Sequence, residues 1–174
     1  MQSHIFLTGD IQVGKSTIIQ KVIHELGLSP GGFRTSWGDL LPDGSADLFL
    51  LGMGEAPSSD RIAARRFGSG RGITAFPDIF DEVGSRLIAE ASSSPLIIMD
   101  ELGFIEKNAA GFQDAVLSAL NGSVPILGVV RNMQTPFLDK VRSHPNVNLI
   151  VVTRENREEI FEQVLADVKK SYSR

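Results

Sequence analysis

The feature that most narrows what this chain can fold into is an octapeptide, Gly9-Asp10-Ile11-Gln12-Val13-Gly14-Lys15-Ser16, which satisfies G-x-x-x-x-G-K-[ST]. Its flanks are the ones the motif requires: the apolar, β-rich run His4 to Thr8 precedes it, and a segment of helical period begins at its end. Glycines in such a loop let successive backbone N–H groups turn inward around phosphate oxygens, while the N-terminus of the following helix adds partial positive charge. A chance match in a chain of 174 residues arises at a rate on the order of one in a hundred, before the flanks are counted. The expected nucleotide contacts are therefore Gly9, Asp10, Ile11, Gln12, Val13, Gly14, Lys15, Ser16 and Thr17. Among them Lys15 is expected to reach the β and γ phosphates as a catalytic group, and Ser16 to offer its hydroxyl to Mg²⁺.

A second element complements the first. Leu96-Ile97-Ile98-Met99-Asp100-Glu101 is an apolar strand ending in two carboxylates. Asp100 is expected to hold Mg²⁺ through water, and Glu101 to orient and polarise an attacking water as the catalytic carboxylate. An acidic residue beside the metal-linked aspartate suits water activation, which favours hydrolysis over transfer to a second substrate. Arg131 and Asn132 follow the run Pro125 to Val130 at the edge where ligands bind an open α/β sheet, so Arg131 is a candidate contact to the γ-phosphate. Thr153-Arg154-Glu155-Asn156-Arg157 lies between the last strand and the last helix. Asn156 and Arg157 are candidate nucleotide contacts there, and helix capping by Thr153 or Asn156 is the competing explanation. Arg61, Arg65, Arg66 and Arg71 form a solvated face by default, although an arginine beside a phosphate site stabilises transferring charge; Arg34 carries a weaker case of the same kind.

Around these motifs, short apolar runs alternate with amphipathic segments. The runs are His4 to Thr8, Pro95 to Met99, Pro125 to Val130 and Val147 to Val152, continuous rather than alternating, as strands buried on both faces of a parallel sheet should be. Helical period marks Ser16 to Leu26, Pro77 to Ala91, Ala109 to Leu120, Thr135 to Ser143 and Glu155 to Ser171. Phe33 to Trp37 and Ala46 to Leu51 read as strands joined through Pro42-Asp43-Gly44, followed by a flexible loop Gly52 to Ser59. Phe33 and Trp37 are expected to pack on that hairpin, and His24 to lie at the surface. The expected fold is α/β: a three-layer P-loop NTPase fold with a mostly parallel sheet, flanking helices and a β-hairpin insertion, forming a single P-loop NTPase domain over residues 1–174 with the hairpin and flexible loop at 31–60.

Composition removes other chemistries. With no cysteine there is no disulfide framework, zinc-thiolate site or cysteine nucleophile, and three scattered histidines lack ligand spacing. A net charge of −4 gives no global field for a phosphate backbone, so no nucleic-acid partner is expected. No apolar run approaches the ~18 residues of a membrane span and no basic n-region precedes Ile5, so no membrane partner and a cytoplasmic location are expected. A protein partner is not indicated.

The ordered set of Gly9 to Thr17, Gly32-Phe33-Arg34-Thr35, Asp100-Glu101-Leu102-Gly103-Phe104-Ile105-Glu106 and Thr153 to Arg157 resembles the small nucleoside-triphosphatase family of thermophilic-type and cancer-related nucleoside-triphosphatases, over nearly the whole chain. The resemblance implies Mg²⁺-dependent hydrolysis of nucleoside 5′-triphosphates (ATP, GTP and others) to diphosphate and phosphate, with Lys15, Ser16, Asp100 and Glu101 on the matching motif positions. Family members usually carry a lysine where this chain has Phe104, and a G-K-Y-like segment where Gly70-Arg71-Gly72 stands. The competing expectations are a nucleotide or small-molecule kinase and a nucleotide-gated regulatory module with slow hydrolysis.

Overall fold

The computed structural model describes residues 4–172. In chain order these form β1 (His4–Thr8), α1 (Lys15–Leu26), β2 (Gly31–Trp37), β3 (Ala46–Gly52), β4 (Ile62–Arg66) and β5 (Ile73–Ala75). A helical stretch follows, from α2 (Pro77–Ile79) through a π-helical turn at Phe80–Gly84 into α3 (Ser85–Glu90). Then come β6 (Ile97–Leu102), α4 (Ala110–Leu120), β7 (Ile126–Val130), α5 (Pro136–Arg142), β8 (Val147–Val151) and α6 (Arg157–Tyr172).

All eight strands join one sheet in the order β5-β4-β3-β2-β6-β7-β1-β8. The five from β2 to β8 are mutually parallel, and β3, β4 and β5 continue the sheet beyond β2 with antiparallel pairings. Successive strand residues face opposite sides, and the core divides accordingly. Phe6 and Met99 join Phe33, Phe80 and Phe112 on the side covered by α3, α4 and α5. Leu7 and Ile98 join Ile19, Val22 and Val164 on the side covered by α1 and α6. Among the described residues no helix is long and apolar enough to cross a membrane.

Four local expectations need correction. The extension is three strands, β3 to β5, linked antiparallel to β2 and reaching Ala75, rather than one hairpin; β4 carries Arg65 and Arg66 and is too short to show alternation. Phe33 does not pack on the hairpin: it is fully buried in the main core, edge-to-face with Phe112 at 5.3 Å. The helix from Pro77 is interrupted by the π turn, where Gly84 lies against the Phe112 ring. The last helix starts at Arg157 rather than Glu155, because Thr153 and Asn156 cap it reciprocally. His24 is exposed, as expected.

Candidate active site

The loop after β1 needs its first glycine for two reasons. Gly9 has φ +130°, and a Cβ there would lie 2.3 Å from the Val152 carbonyl oxygen, so no side chain fits where the loop passes the end of β8. The chain then wraps to Gly14, the left-handed N-cap of α1. Lys15 is 9% exposed and its Nζ donates to the carbonyls of Gly9, at 3.0 Å, and Asp10, so the ammonium lies inside the loop it would share with phosphate. Burial pushes the Lys15 ammonium down from its ordinary range, an effect opposed by Glu101.

Pairing of β2 with β6 and of β6 with β7 brings the carboxylates to the same edge. Asp100 and Glu101 lie within β6, not after it, and the register against β7 shifts between Asp100 and Leu102. A bulge of this kind re-aims a side chain, and here it lets consecutive residues serve one cleft. Ser16 Oγ donates to Asp100 Oδ1 at 2.9 Å, joining the start of α1 to the Asp-Glu strand. Burial raises the Asp100 carboxyl, against the Ser16 hydrogen bond and the charges of Arg34 and Lys15. Burial raises Glu101 as well, countered by Arg131 and reinforced by Asp100.

These groups suit a divalent metal. Ser16 and Asp100 are hard oxygen donors in contact, and the desolvated Asp100 carboxylate would be relieved by a cation. Among the described residues no group of three or more His, Asp or Glu side chains forms a cage, so most of the remaining ligands would be water and phosphate oxygens.

Arg131 follows β7 directly and its Nε lies 3.6 Å from Glu101 Oε1. Two cavities meet at this pair. One, of about 590 Å³, is lined by Gly9 to Gln12, Gly14 to Thr17, Glu101 and Arg131. The other, of about 260 Å³, runs from Ser16, Asp100, Glu101 and Arg131 toward Trp37, Ile73 and Phe104. Val13 is buried in the core beneath the loop, 6% exposed, so its side chain does not line the cleft.

The other candidates divide. Arg157 packs its stem toward Gly14, whose Cβ position is 3.6 Å from Arg157 Cδ, and lines a small cavity with Thr17 and Lys21. Both ends of the Asn156 amide are engaged: Oδ1 accepts from Thr153 N–H at 2.7 Å and Nδ2 donates to the Val151 carbonyl at 3.1 Å. Arg61 pairs with Glu55 and Asp60, Arg65 with Asp47, and Arg66 lies over the Trp37 ring, while Arg34 donates to the Glu55 carbonyl. The arginines of the extension thus have internal partners, Arg71 apart, which is exposed beyond β4.

Glu106 closes the Asp100–Glu106 run that carries the family resemblance, but its residue type there indicates no role. Its side chain is 2% exposed, accepts the Gly103 N–H, and is pushed up to about 7 by burial. An acid flanked by Ile105 and Lys107 gives no local sign of burial; only the packing of the 103–106 turn against α4, where Gln113 donates to the Glu106 and Lys107 carbonyls, shows it.

Comparison with known proteins places the chain as a whole. Residues 4–165 match the family described as NTPase. A nucleoside-triphosphatase THEP1 of Methanocaldococcus jannaschii is 31% identical, over 92% of this chain and 94% of its own length. A cancer-related nucleoside-triphosphatase homolog of Mus musculus is 29% identical, over 98% and 99%. The crystal structure of THEP1 from Aquifex aeolicus, 24% identical, superposes with a TM-score of 0.72 over 94% of this chain and 97% of that one.

Proposed function

This chain belongs to the NTPase family, and on that premise we propose that it hydrolyses nucleoside 5′-triphosphates, ATP and GTP among them, to nucleoside diphosphate and phosphate, with Mg²⁺ as the divalent ion. The observation that carries the reading is the 2.9 Å hydrogen bond from Ser16 to Asp100, which joins the phosphate loop to the Asp-Glu strand and sets Glu101 beside the phosphate cleft.

In this reading the backbone from Gly9 to Thr17 cradles the phosphates, and Lys15 leaves the Gly9 and Asp10 carbonyls to pair with the β and γ oxygens. Ser16 and Asp100 would hold the Mg²⁺, and the ion would supply neutralisation of the charge on the phosphate oxygens. Glu101 accepts a hydrogen bond from water and aligns its oxygen with the γ-phosphorus. The new P–O bond forms as the bond to the β-phosphate oxygen breaks, and the water proton passes toward the Glu101 carboxylate. Arg131 faces the γ-phosphate; Arg157 and the Asn156 turn border the nucleoside side.

The test is phosphate release from MgATP, MgGTP, MgCTP and MgUTP by wild type, Lys15→Ala and Glu101→Gln. Release by wild type alone supports the reading, and silence from wild type with tight nucleotide binding overturns it. One observation favours a second reading, phosphoryl transfer: the chamber beyond Ser16 is about 260 Å³, whereas a water occupies about 30 Å³. Turnover that depends on an added alcohol, with a phosphate ester as product, would favour it.

A further inference from the structure

Arg131 and Glu101 form the one ion pair between the two cavities of the site among the ion pairs of the described residues. Its N···O distance of 3.6 Å is too long for a hydrogen bond, and the side chains are 30% and 37% exposed. Such a contact is weak and readily exchanged. The rest of Arg131 is held firmly. Its N–H donates to the Leu102 carbonyl at 2.9 Å, its own carbonyl accepts from Arg142 at 3.0 Å, and its stem crosses Gly103, where a Cβ would meet Arg131 Cδ at 3.0 Å. Gly103 is in turn fixed through its N–H to the buried Glu106 carboxylate. The guanidinium is therefore the movable end of an anchored side chain, with Glu101 3.6 Å away and both side chains lining the cavity over the Gly9 to Thr17 loop.

We propose that Arg131 is the triphosphate-sensing residue of this site: without nucleotide it holds Glu101, and a γ-phosphate draws its guanidinium away, leaving Glu101 to position water. The proposal rests on the hydrolase reading above and adds a coupling between the third phosphate and the catalytic carboxylate. Its physical basis is competition for one planar fork. A guanidinium donates bidentately to a carboxylate or a phosphate, and a γ-phosphate carries more charge than a carboxylate held at 3.6 Å. A nucleoside diphosphate lacks the competing group and leaves the pair intact. Glu101 is thereby kept from aligning a water for attack until a cleavable phosphate is in place.

The experiment is a double-mutant cycle on the affinity of fluorescent ATP and ADP analogues with Mg²⁺, in wild type, Glu101→Gln, Arg131→Ala and the double variant. Glu101→Gln releases Arg131, so it should tighten the triphosphate roughly threefold, in line with the modest strength of an exposed pair, and leave the diphosphate unchanged. Arg131→Ala should weaken the triphosphate about tenfold or more, and the diphosphate less than twofold, as expected for loss of a charge-assisted bond to the third phosphate. In the Arg131→Ala background, Glu101→Gln should no longer tighten anything. Simple repulsion between Glu101 and phosphate predicts instead the same tightening in both backgrounds, and that outcome overturns the proposal. So does an unchanged triphosphate-over-diphosphate preference in Arg131→Ala. Failure of wild type to bind any nucleotide would overturn the hydrolase reading itself, a result distinct from both.

Discussion

The parallel half of the sheet and its antiparallel extension are built from similar materials and used differently. In the half formed by β1, β6, β7 and β8 the buried positions are apolar on both faces apart from His4 and Thr8 at the two ends of β1, and the polar groups of the candidate site lie at the carboxyl edge: the loop from Gly9, the pair Asp100 and Glu101, and Arg131. In the extension β3 to β5 the charges lie along the strands and have internal partners, as Asp47 with Arg65 and Arg66 with the Trp37 ring show. Charge at a strand end remains available for a ligand, whereas charge opposite a cross-strand partner is already used. The two regions meet where β2 pairs with β6, at the register that sets Arg34 opposite Asp100.

That contrast can be broken first at the carboxyl edge of the parallel strands. Glu101→Gln should lower kcat by about 10²- to 10³-fold while nucleotide binding persists, the size typical of losing a positioned general base; steady-state phosphate release with a binding titration checks it. Next in size is Gly9→Ala, which forces a Cβ to 2.3 Å from the Val152 oxygen at φ +130°. It should cost about 3 kcal/mol, lowering Tm by more than about 6 °C and disordering the phosphate loop, as thermal unfolding with and without MgATP would show.

Glu106 sharpens the comparison through pH. Its folded pKa of about 7 lies above the ordinary 4.5, so the folded state binds the extra proton. Its stabilising contribution is full below about pH 4.5 and is lost as pH rises through 7, up to about 3 kcal/mol for this shift. Asp100 and Glu101 act in the same direction; His4, lowered by burial, acts in the opposite one and loses stability as pH falls. Denaturant unfolding at pH 5 and pH 8 should therefore give a smaller difference for Glu106→Gln than for wild type. Equal differences would mean that Glu106 ionises normally. The smallest effect belongs to the extension: Arg65→Ala breaks the pair with Asp47 on a half-exposed strand, and should lower Tm by under about 3 °C without altering kcat.

Legibility followed sequence distance. The phosphate loop, its strand and its helix were readable because their geometry is set by adjacent residues, and Asp100 and Glu101 because an apolar run ended in them. The strands β4 and β5 were not: Ile62 to Arg66 is short and ends in two arginines, and its strand character comes from pairing with β3 and β5. Nor was the place of Phe33, decided by contact with Phe112 on a distant helix, or the engagement of Asn156 in a cap that spends its amide on Thr153 and Val151.

What the sequence determined by itself was the class of fold and the glycine-bearing loop between the first strand and the first helix, since backbone conformations such as that of Gly9 and apolar periodicity are local properties. Only the tertiary structure decided which charged groups share the cleft. The bulge at Glu101, the 3.6 Å approach of Arg131 and the burial of Glu106 depend on neighbours brought together by strand order and helix packing. A side chain's charge is written in its chemistry, but its partner is set by the fold.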